Sequence, residues 1–156
     1  MPNVGGLTDR EAAIDAVIRF VCSLDEGDEE LCASSLTEDA IMDLTPFQKL
    51  GWASQAVAGR AAVVDILMKR VGRPLDTTHS ATNIRCTVNG DTAELTSSVL
   101  AQHFRAGEGP SPKHQDYYLF GNKYQADLVR ESELWRMKKL TISPAWVQGN
   151  PEVMNV

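Results

Sequence analysis

The chain has 156 residues, is 43% hydrophobic and carries a formal net charge of −6. This length and composition predict a single domain over residues 1–156, built around one core. The acidic balance argues against nucleic-acid or anionic-membrane partners, because both surfaces bind clustered Lys and Arg side chains.

The N-terminal part of the chain is predicted to be helical. Thr8 and Glu11 form a capping box, and apolar residues at spacings of three and four continue a first helix to Gly27. Asp28 can cap a second, shorter helix that extends to Leu36.

A mixed region separates these helices from a third one. Residues 37–39 are expected to form a turn and residues 40–44 a short strand. A loop is expected over 45–59, followed by a helix over 60–71 that Gly72 ends.

After Pro74 the apolar pattern changes to a period of two, which predicts strands. The strands are expected over 79–88, 93–105, 115–129 and 134–146, with Pro144 as a point of interruption. Helices followed by such a meander indicate an α+β domain, in which a curved antiparallel sheet packs on three N-terminal helices. A sheet of this kind encloses a concave space suited to a ligand.

Two polar residues at element ends are candidates for chemistry. Asp25 lies at the end of the first helix, where its negative charge opposes the helix dipole, so another reason for its presence is favoured. His79 opens the first long strand, and imidazole can act as base or acid near neutral pH. A carboxylate bonded to one ring nitrogen would fix the tautomer and raise the basicity of the other.

The strand pattern creates a conflict for His79. In an unbroken strand His79 shares a face with Asn83 and Arg85, whereas the apolar face holds Ile84 and Cys86. A bulge between about residues 80 and 83 is therefore required for His79 to face the core.

Several motifs in this order resemble one family. The first part contains LDEGD and T-x-D-A-x-x-D, the middle contains T-H-x-x-T-N-I-R, and the end reads W-R-M-K-K-L-T-I-x-x-x-W-x-x-G-N. This order is similar to the SnoaL-like branch of the nuclear transport factor 2-like superfamily, which includes scytalone dehydratase. The resemblance implies a cone-shaped curved sheet capped by helices. Enzymes of this branch include dehydratases, a hexachlorocyclohexane dehydrochlorinase and polyketide cyclases.

The resemblance also implies roles for individual residues. Asp25 and His79 match the Asp and His that form a pocket dyad in several of these enzymes, and His103 resembles a second pocket histidine. Leu24 and Leu44 stand where the dehydratase has tyrosines. Phe20 stands where the dehydrochlorinase has a lysine.

These matches imply a cofactor-independent lyase of dehydratase type, or an isomerase or cyclase. Its substrate would be a small, hydrophobic, oxygenated molecule. We expect no cofactor and no metal, because His79, His103 and His114 do not form a ligand motif. His114 is expected to be exposed.

Aromatic and polar side chains are candidates for the substrate-binding wall. Trp52 can cover the mouth of the pocket, and Trp146 can lie at the pocket or at a subunit contact. Phe120, Asn122 and Tyr124 share one strand face and can supply part of the pocket wall and a polar group that binds the substrate. The full set is Phe20, Trp52, Phe120, Asn122, Tyr124 and Trp146.

An alternative from another class is a non-catalytic module for small-molecule binding or oligomerisation. An enzyme needs an open pocket that reaches Asp25 and His79, whereas in a scaffold Phe20, Met42 or Trp52 can fill that space. Relatives suggest a homo-oligomer, a dimer or trimer. The N-terminal residues lack the apolar segment of a signal peptide, and three cysteines give no disulfide framework, so we expect a cytoplasmic protein.

Overall fold

Helices and one sheet account for most of the computed structural model, which describes residues 5–113 and 116–155. The helices are α1 (Asp9–Glu26), α2 (Glu29–Ser34) and α3 (Arg60–Leu67), and α3 continues into a π-helical turn over Met68–Gly72. The strands are β1 (Leu36–Asp43), β2 (Ala56–Ala58), β3 (Leu75–Asn89), β4 (Thr92–Arg105), β5 (Tyr118–Glu131) and β6 (Leu134–Gly149). Short 3₁₀ helices cover Thr45–Leu50 and Pro151–Met154.

The helix ends follow the predicted capping residues. Thr8 Oγ1 accepts from Glu11 N, and the Glu11 carboxylate accepts from Thr8 N, so the capping box is present. Gly27 ends α1 with a φ of 66°, and a Cβ there would lie 2.9 Å from Gly72 O. Glycine is thus required for both conformation and space. Asp28 caps α2 through Leu31 N.

The sheet has six strands in the order β2-β1-β6-β5-β4-β3. β3 to β6 form the expected antiparallel meander, which confirms the α+β class. The pairing of β1 with β6 is the parallel exception within this otherwise antiparallel sheet. Local patterns could not show this pairing, since residues 44–133 lie between the two strands.

Several element boundaries also differ from the sequence prediction. Residues 37–39 lie within β1 rather than in a turn, and Thr37 Oγ1 donates to Asp39 within the strand. The region 45–59 contains a 3₁₀ helix and β2. β3 begins at buried Leu75, four residues before the predicted start.

A bulge in β3 sets which side chains face the helices. The register shifts between Thr82 and Arg85, where Asn83 and Ile84 together oppose Ser97. Asn83 adopts a φ of 51°, a left-handed conformation that asparagine tolerates. The inner face carries His79 before the bulge and Ile84 after it. The structure therefore contains the bulge that the sequence required, within about two residues of its predicted place.

The core lies between the inner face of the sheet and the helices. Phe20, Met42 and Trp135 are among its largest fully buried side chains. Arg19 is also buried and donates to Asp15, to the backbone and side chain of Ser34, and to Trp135 O. One guanidinium thus joins α1 to the end of α2 and the start of β6.

Two predictions concern residues beyond those described. His114 and the predicted strand start at Gln115 lie outside the described residues. Within the described ranges, no helix combines the length and apolar character needed to cross a membrane.

The buried Arg19 provides a test of this packing. We expect Arg19→Met to lower the free energy of unfolding by about 3 kcal/mol, because Asp15 and the two carbonyl oxygens lose their buried donor. Arg10→Met, an exposed position on the same helix, is the control and should change little. Urea denaturation of both variants measures this, and similar losses in the two would contradict the role assigned to Arg19.

Candidate active site

Asp25 and His79 meet where the last turn of α1 crosses the start of β3. His79 Nδ1 lies 2.6 Å from Asp25 Oδ1. The backbone N–H of His79 donates to Asp25 Oδ2 at 2.9 Å, and Thr77 Oγ1 donates to Oδ1 at 2.8 Å. The structure therefore brings together the two residues that the sequence singled out.

The surroundings of Asp25 keep it ionised. Burial raises the pKa of its carboxyl group, but hydrogen bonds from the side chain and backbone of His79, the charge of His79 and the hydroxyl of Thr77 outweigh this effect. The net result is a pKa below the ordinary range. An ionised carboxylate can only accept, so the proton of neutral His79 is assigned to Nδ1 from its partner, and the lone pair to Nε2.

His103 stands beside this pair in a second buried position. Its ring centroid is 5.6 Å from that of His79, with the rings edge to face. Nδ1 donates to Tyr118 O at 3.1 Å, since a carbonyl only accepts. Burial, with a further contribution from His79, lowers the pKa of His103 to about 4. His103 is therefore neutral at pH 7 and offers Nε2 as an acceptor.

An aromatic wall adjoins the two histidines. Phe120 is central to it, with ring centroids 4.7 Å from Tyr118, 5.3 Å from His103, 5.6 Å from Phe47 and 5.7 Å from Trp52. Two of these residues, Phe47 and Tyr118, were not predicted from the sequence. Phe47 was placed in a mixed loop, but Tyr118 continues the alternation of Phe120 on β5 and could have been found from it.

Asn122 and Tyr124 share the inner face of β5 with Phe120, as expected from the alternation. Asn122 is 6% exposed, and its Oδ1 has no hydrogen-bond partner among the described residues. Burial raises the pKa of Tyr124, and the charge of Asp25 acts in the same direction, so this phenol stays protonated. Phe20 packs edge-on against Tyr124, with centroids 6.3 Å apart.

Trp146 does not join this cluster, which corrects its expected place at the pocket. On β6, Gly121 pairs with Trp146 and Asn122 with Pro144, so Ala145 is an extra residue that reverses the alternation. Trp146 consequently lies on the outer face over Gly121, where an added Cβ would come within 2.1 Å of its ring. The residue is 47% exposed, and the subunit contact stays a prediction.

The site is nearly closed to solvent. The side chain of His79 is 4% exposed and that of Asp25 23%, while Phe20 and Met42 are fully buried and Trp52 is half-buried. Two grooves of about 590 and 400 Å³ lie on the outer face of the sheet, and neither reaches Asp25, His79 or His103.

The arrangement suits proton transfer. It provides an imidazole backed by a carboxylate, the imidazole of His103, which is neutral at pH 7, and a protonated phenol. Across residues 5–113 and 116–155, no three His, Cys, Asp or Glu side chains are grouped to hold a metal ion.

Comparison with known proteins identifies the family. The model of the SnoaL-like domain matches residues 6–141. Terrestric acid biosynthesis cluster protein E of Penicillium crustosum is 34% identical over 147 residues, which cover 92% of this chain and 88% of that protein. The chain belongs to the SnoaL-like family.

Solved structures share the fold of this chain, and one of them, from Streptomyces avermitilis, is described as a candidate dehydratase of the NTF2-like family. A candidate scytalone dehydratase from Novosphingobium aromaticivorans gives a TM-score of 0.71 at 20% identity, covering 88% of this chain and 85% of that chain. A type 3 hexachlorocyclohexane dehydrochlorinase from Novosphingobium barchaimii gives 0.70 at 22% identity, covering 90% and 89%. At such identities the likeness shows the fold.

His103 predicts a specific dependence of stability on pH. Its pKa is about 4 in the fold against an ordinary 6.5, so the unfolded chain binds more protons between these values. Stability is therefore full above pH 6.5 and falls as the pH decreases toward 4, by about 3 kcal/mol from this residue.

The measurement is urea denaturation over this pH range for the wild type and for His103→Gln, which removes the titrating ring. Between pH 6.5 and 4, the free energy of unfolding of the variant is expected to fall by about 3 kcal/mol less than that of the wild type. Carboxylates titrate in both proteins and cancel in the comparison. Identical pH dependence would show that His103 is not held neutral by its burial.

Proposed function

We propose that this SnoaL-like protein is a cofactor-independent lyase that eliminates water from a small, uncharged, largely apolar oxygenated substrate. The observation that carries the proposal is the contact of His79 Nδ1 with ionised Asp25. This contact leaves the lone pair of His79 at Nε2, on the side of the ring away from the carboxylate. His79 is then the base, and Asp25 orients it and stabilises the imidazolium that forms.

A single histidine can carry both proton transfers of such an elimination. His79 Nε2 takes a proton from the carbon next to a carbonyl group, and the electron pair of that C–H bond forms an enolate. The carbon–oxygen bond at the β position then breaks as the enolate collapses to the conjugated product. The imidazolium returns its proton to the departing hydroxyl, which leaves as water. All protons are accounted for without a second acid.

His103 serves as a substrate anchor in this scheme. With a pKa of about 4, His103 is neutral at pH 7; its one N–H proton lies on Nδ1 and is donated to Tyr118 O, so Nε2 carries none. Its Nε2 can accept a hydrogen bond from a substrate hydroxyl. An acid role for His103 is therefore not part of the proposal.

The lining of the site supports an uncharged substrate. Beside the ionised Asp25, the ring cluster of the site contains the uncharged side chains of His103, Phe120 and Trp52. A carboxylate on the substrate would be repelled by Asp25. Phe120 and Trp52 present flat apolar surfaces, which suit a planar or conjugated molecule. The Penicillium relative is named for a biosynthetic cluster, which supports a small-molecule substrate.

The closure of the site favours a second candidate function. His79 and His103 have side chains exposed by only a few per cent, and Phe20 and Met42 are packed into the core. The same fold with a filled interior would serve as a non-catalytic binding or oligomerisation module. Turnover separates this candidate from the lyase.

The lyase proposal predicts that dehydration depends on the Asp25–His79 pair. The assay mixes the protein with a panel of uncharged aryl β-hydroxyketones and follows the absorbance of the enone product. For any substrate turned over, we expect Asp25→Asn and His79→Gln each to lower kcat/KM by about 100-fold or more, because the base is lost or misoriented.

Asp65→Asn is the matched control, because it makes the same carboxylate-to-amide change at an exposed site on α3. It should leave the rate unchanged. Binding of panel compounds without turnover, seen by quenching of tryptophan fluorescence, would favour the binding module. Turnover that survives both Asp25→Asn and His79→Gln would contradict the proposed base.

The anchor role of His103 gives a separate expectation. His103→Phe fills the same space without an acceptor, so we expect KM for a hydroxylated substrate to rise by roughly tenfold while kcat changes much less. Steady-state kinetics on the panel measures both constants. A fall in kcat with unchanged KM would assign His103 to the proton transfers instead.

A further inference from the structure

Among the described residues, the groups that donate hydrogen bonds to the Asp25 carboxylate all belong to β3. Oδ2 accepts from the backbone N–H of His79, and Oδ1 accepts from both the His79 ring and the Thr77 hydroxyl. Thr77 was not a candidate from sequence. It lies two residues before His79 on the same inner face of β3, so both side chains reach the carboxylate.

The edge position of β3 explains why a backbone N–H is free for Asp25. β3 is the last strand of the sheet and pairs with β4 on one side. In an antiparallel pair, the N–H groups of alternate residues point away from the partner strand. His79 is such a residue, and its N–H is bonded to Asp25 at 2.9 Å.

One backbone bond alone would leave the carboxylate free to rotate about the side-chain torsion of Asp25. The Thr77 hydroxyl, 2.8 Å from Oδ1, supplies a second fixed point that does not depend on the histidine. Oδ1 is thereby held in position while the imidazole changes between its neutral and protonated forms. Protonation of His79 then requires no reorganisation of its partner.

We propose that Thr77 is a positioning residue for the Asp25–His79 pair: its hydroxyl holds Asp25 Oδ1 in line with His79 Nδ1. The effect on catalysis rests on the proposed function. The effect on the carboxylate does not, because it follows from the hydrogen bond itself. Consistent with this geometry, the Thr77 hydroxyl is among the groups that lower the pKa of Asp25.

Three substitutions test the proposal. Thr77→Val keeps the shape of the side chain and removes the donor, whereas Thr77→Ser keeps the hydroxyl. Thr78→Val makes the same change at the neighbouring residue, which is exposed on the outer face. The first readout is the titration of the Asp25 carboxyl carbon by ¹³C NMR, assigned by loss of its signal in Asp25→Asn.

We expect the pKa of Asp25 to rise in Thr77→Val and to stay at its wild-type value in Thr77→Ser and Thr78→Val. An unchanged titration in Thr77→Val, in a protein that remains folded, would overturn the proposal. A side chain that merely fills space would not move this titration. If Thr77→Val fails to fold, the Thr77→Ser variant still tests the proposal. A wild-type pKa of Asp25 in Thr77→Ser supports the role of the hydroxyl, and a raised pKa overturns it.

Activity is the second readout and separates this proposal from the proposed function. For a substrate that is turned over, Thr77→Val should lower kcat by about tenfold with little change in KM, and Thr77→Ser should restore it. A shifted Asp25 titration in a protein without activity would support the positioning role and count against the lyase. Full activity in Thr77→Val with an unshifted titration would overturn the positioning role and leave the lyase intact.

Discussion

The candidate site depends on the hydrogen bonds between the carboxylate of Asp25 and β3. The carboxylate joins the end of α1 to the exposed edge of β3, and it does so through the backbone as well as through side chains. Its position opposes the helix dipole, so its retention in ionised form relies on the donors of β3. The same bonds occupy a backbone N–H that would otherwise lie unpaired at the sheet edge. A single group thus serves the docking of the helix, the protection of the edge and the orientation of His79.

Two β-bulges determine which side chains of β3 and β6 face the candidate site. In β3, Asn83 and Ile84 oppose one residue, so His79 and the apolar residues beyond it all face the helices. In β6, the unpaired Ala145 has the opposite consequence and turns Trp146 to the outer face. Each bulge costs paired backbone bonds, and each allows a curved strand to change the face that a given side chain occupies.

This contrast shows how far the sequence could predict the site. The bulge in β3 was inferred because a polar residue fell on the wrong face relative to a clear apolar pattern. In β6 the sequence marked only an interruption at Pro144. Trp146 continues the buried alternation of Ile142 and Pro144, and tryptophan suits either face, so its change of face gave no signal. Phe47 and Thr77 were missed because their roles arise from contacts between distant segments. The parallel pairing of β1 with β6 was missed for the same reason.

The distribution of charge limits the chemistry that the interior can perform. Arg19 is a buried cation, but its N–H donors are bonded to Asp15 and to carbonyl oxygens of Ser34 and Trp135. Around Asp25 and His79 the remaining polar groups are neutral, because burial lowers the pKa of His103 and raises that of Tyr124. An anion that develops on a bound substrate would therefore be stabilised by neutral donors such as the Tyr124 phenol and by the transient imidazolium. Such a site favours reactions in which the negative charge is brief and the proton returns at once, as in an elimination carried by one histidine.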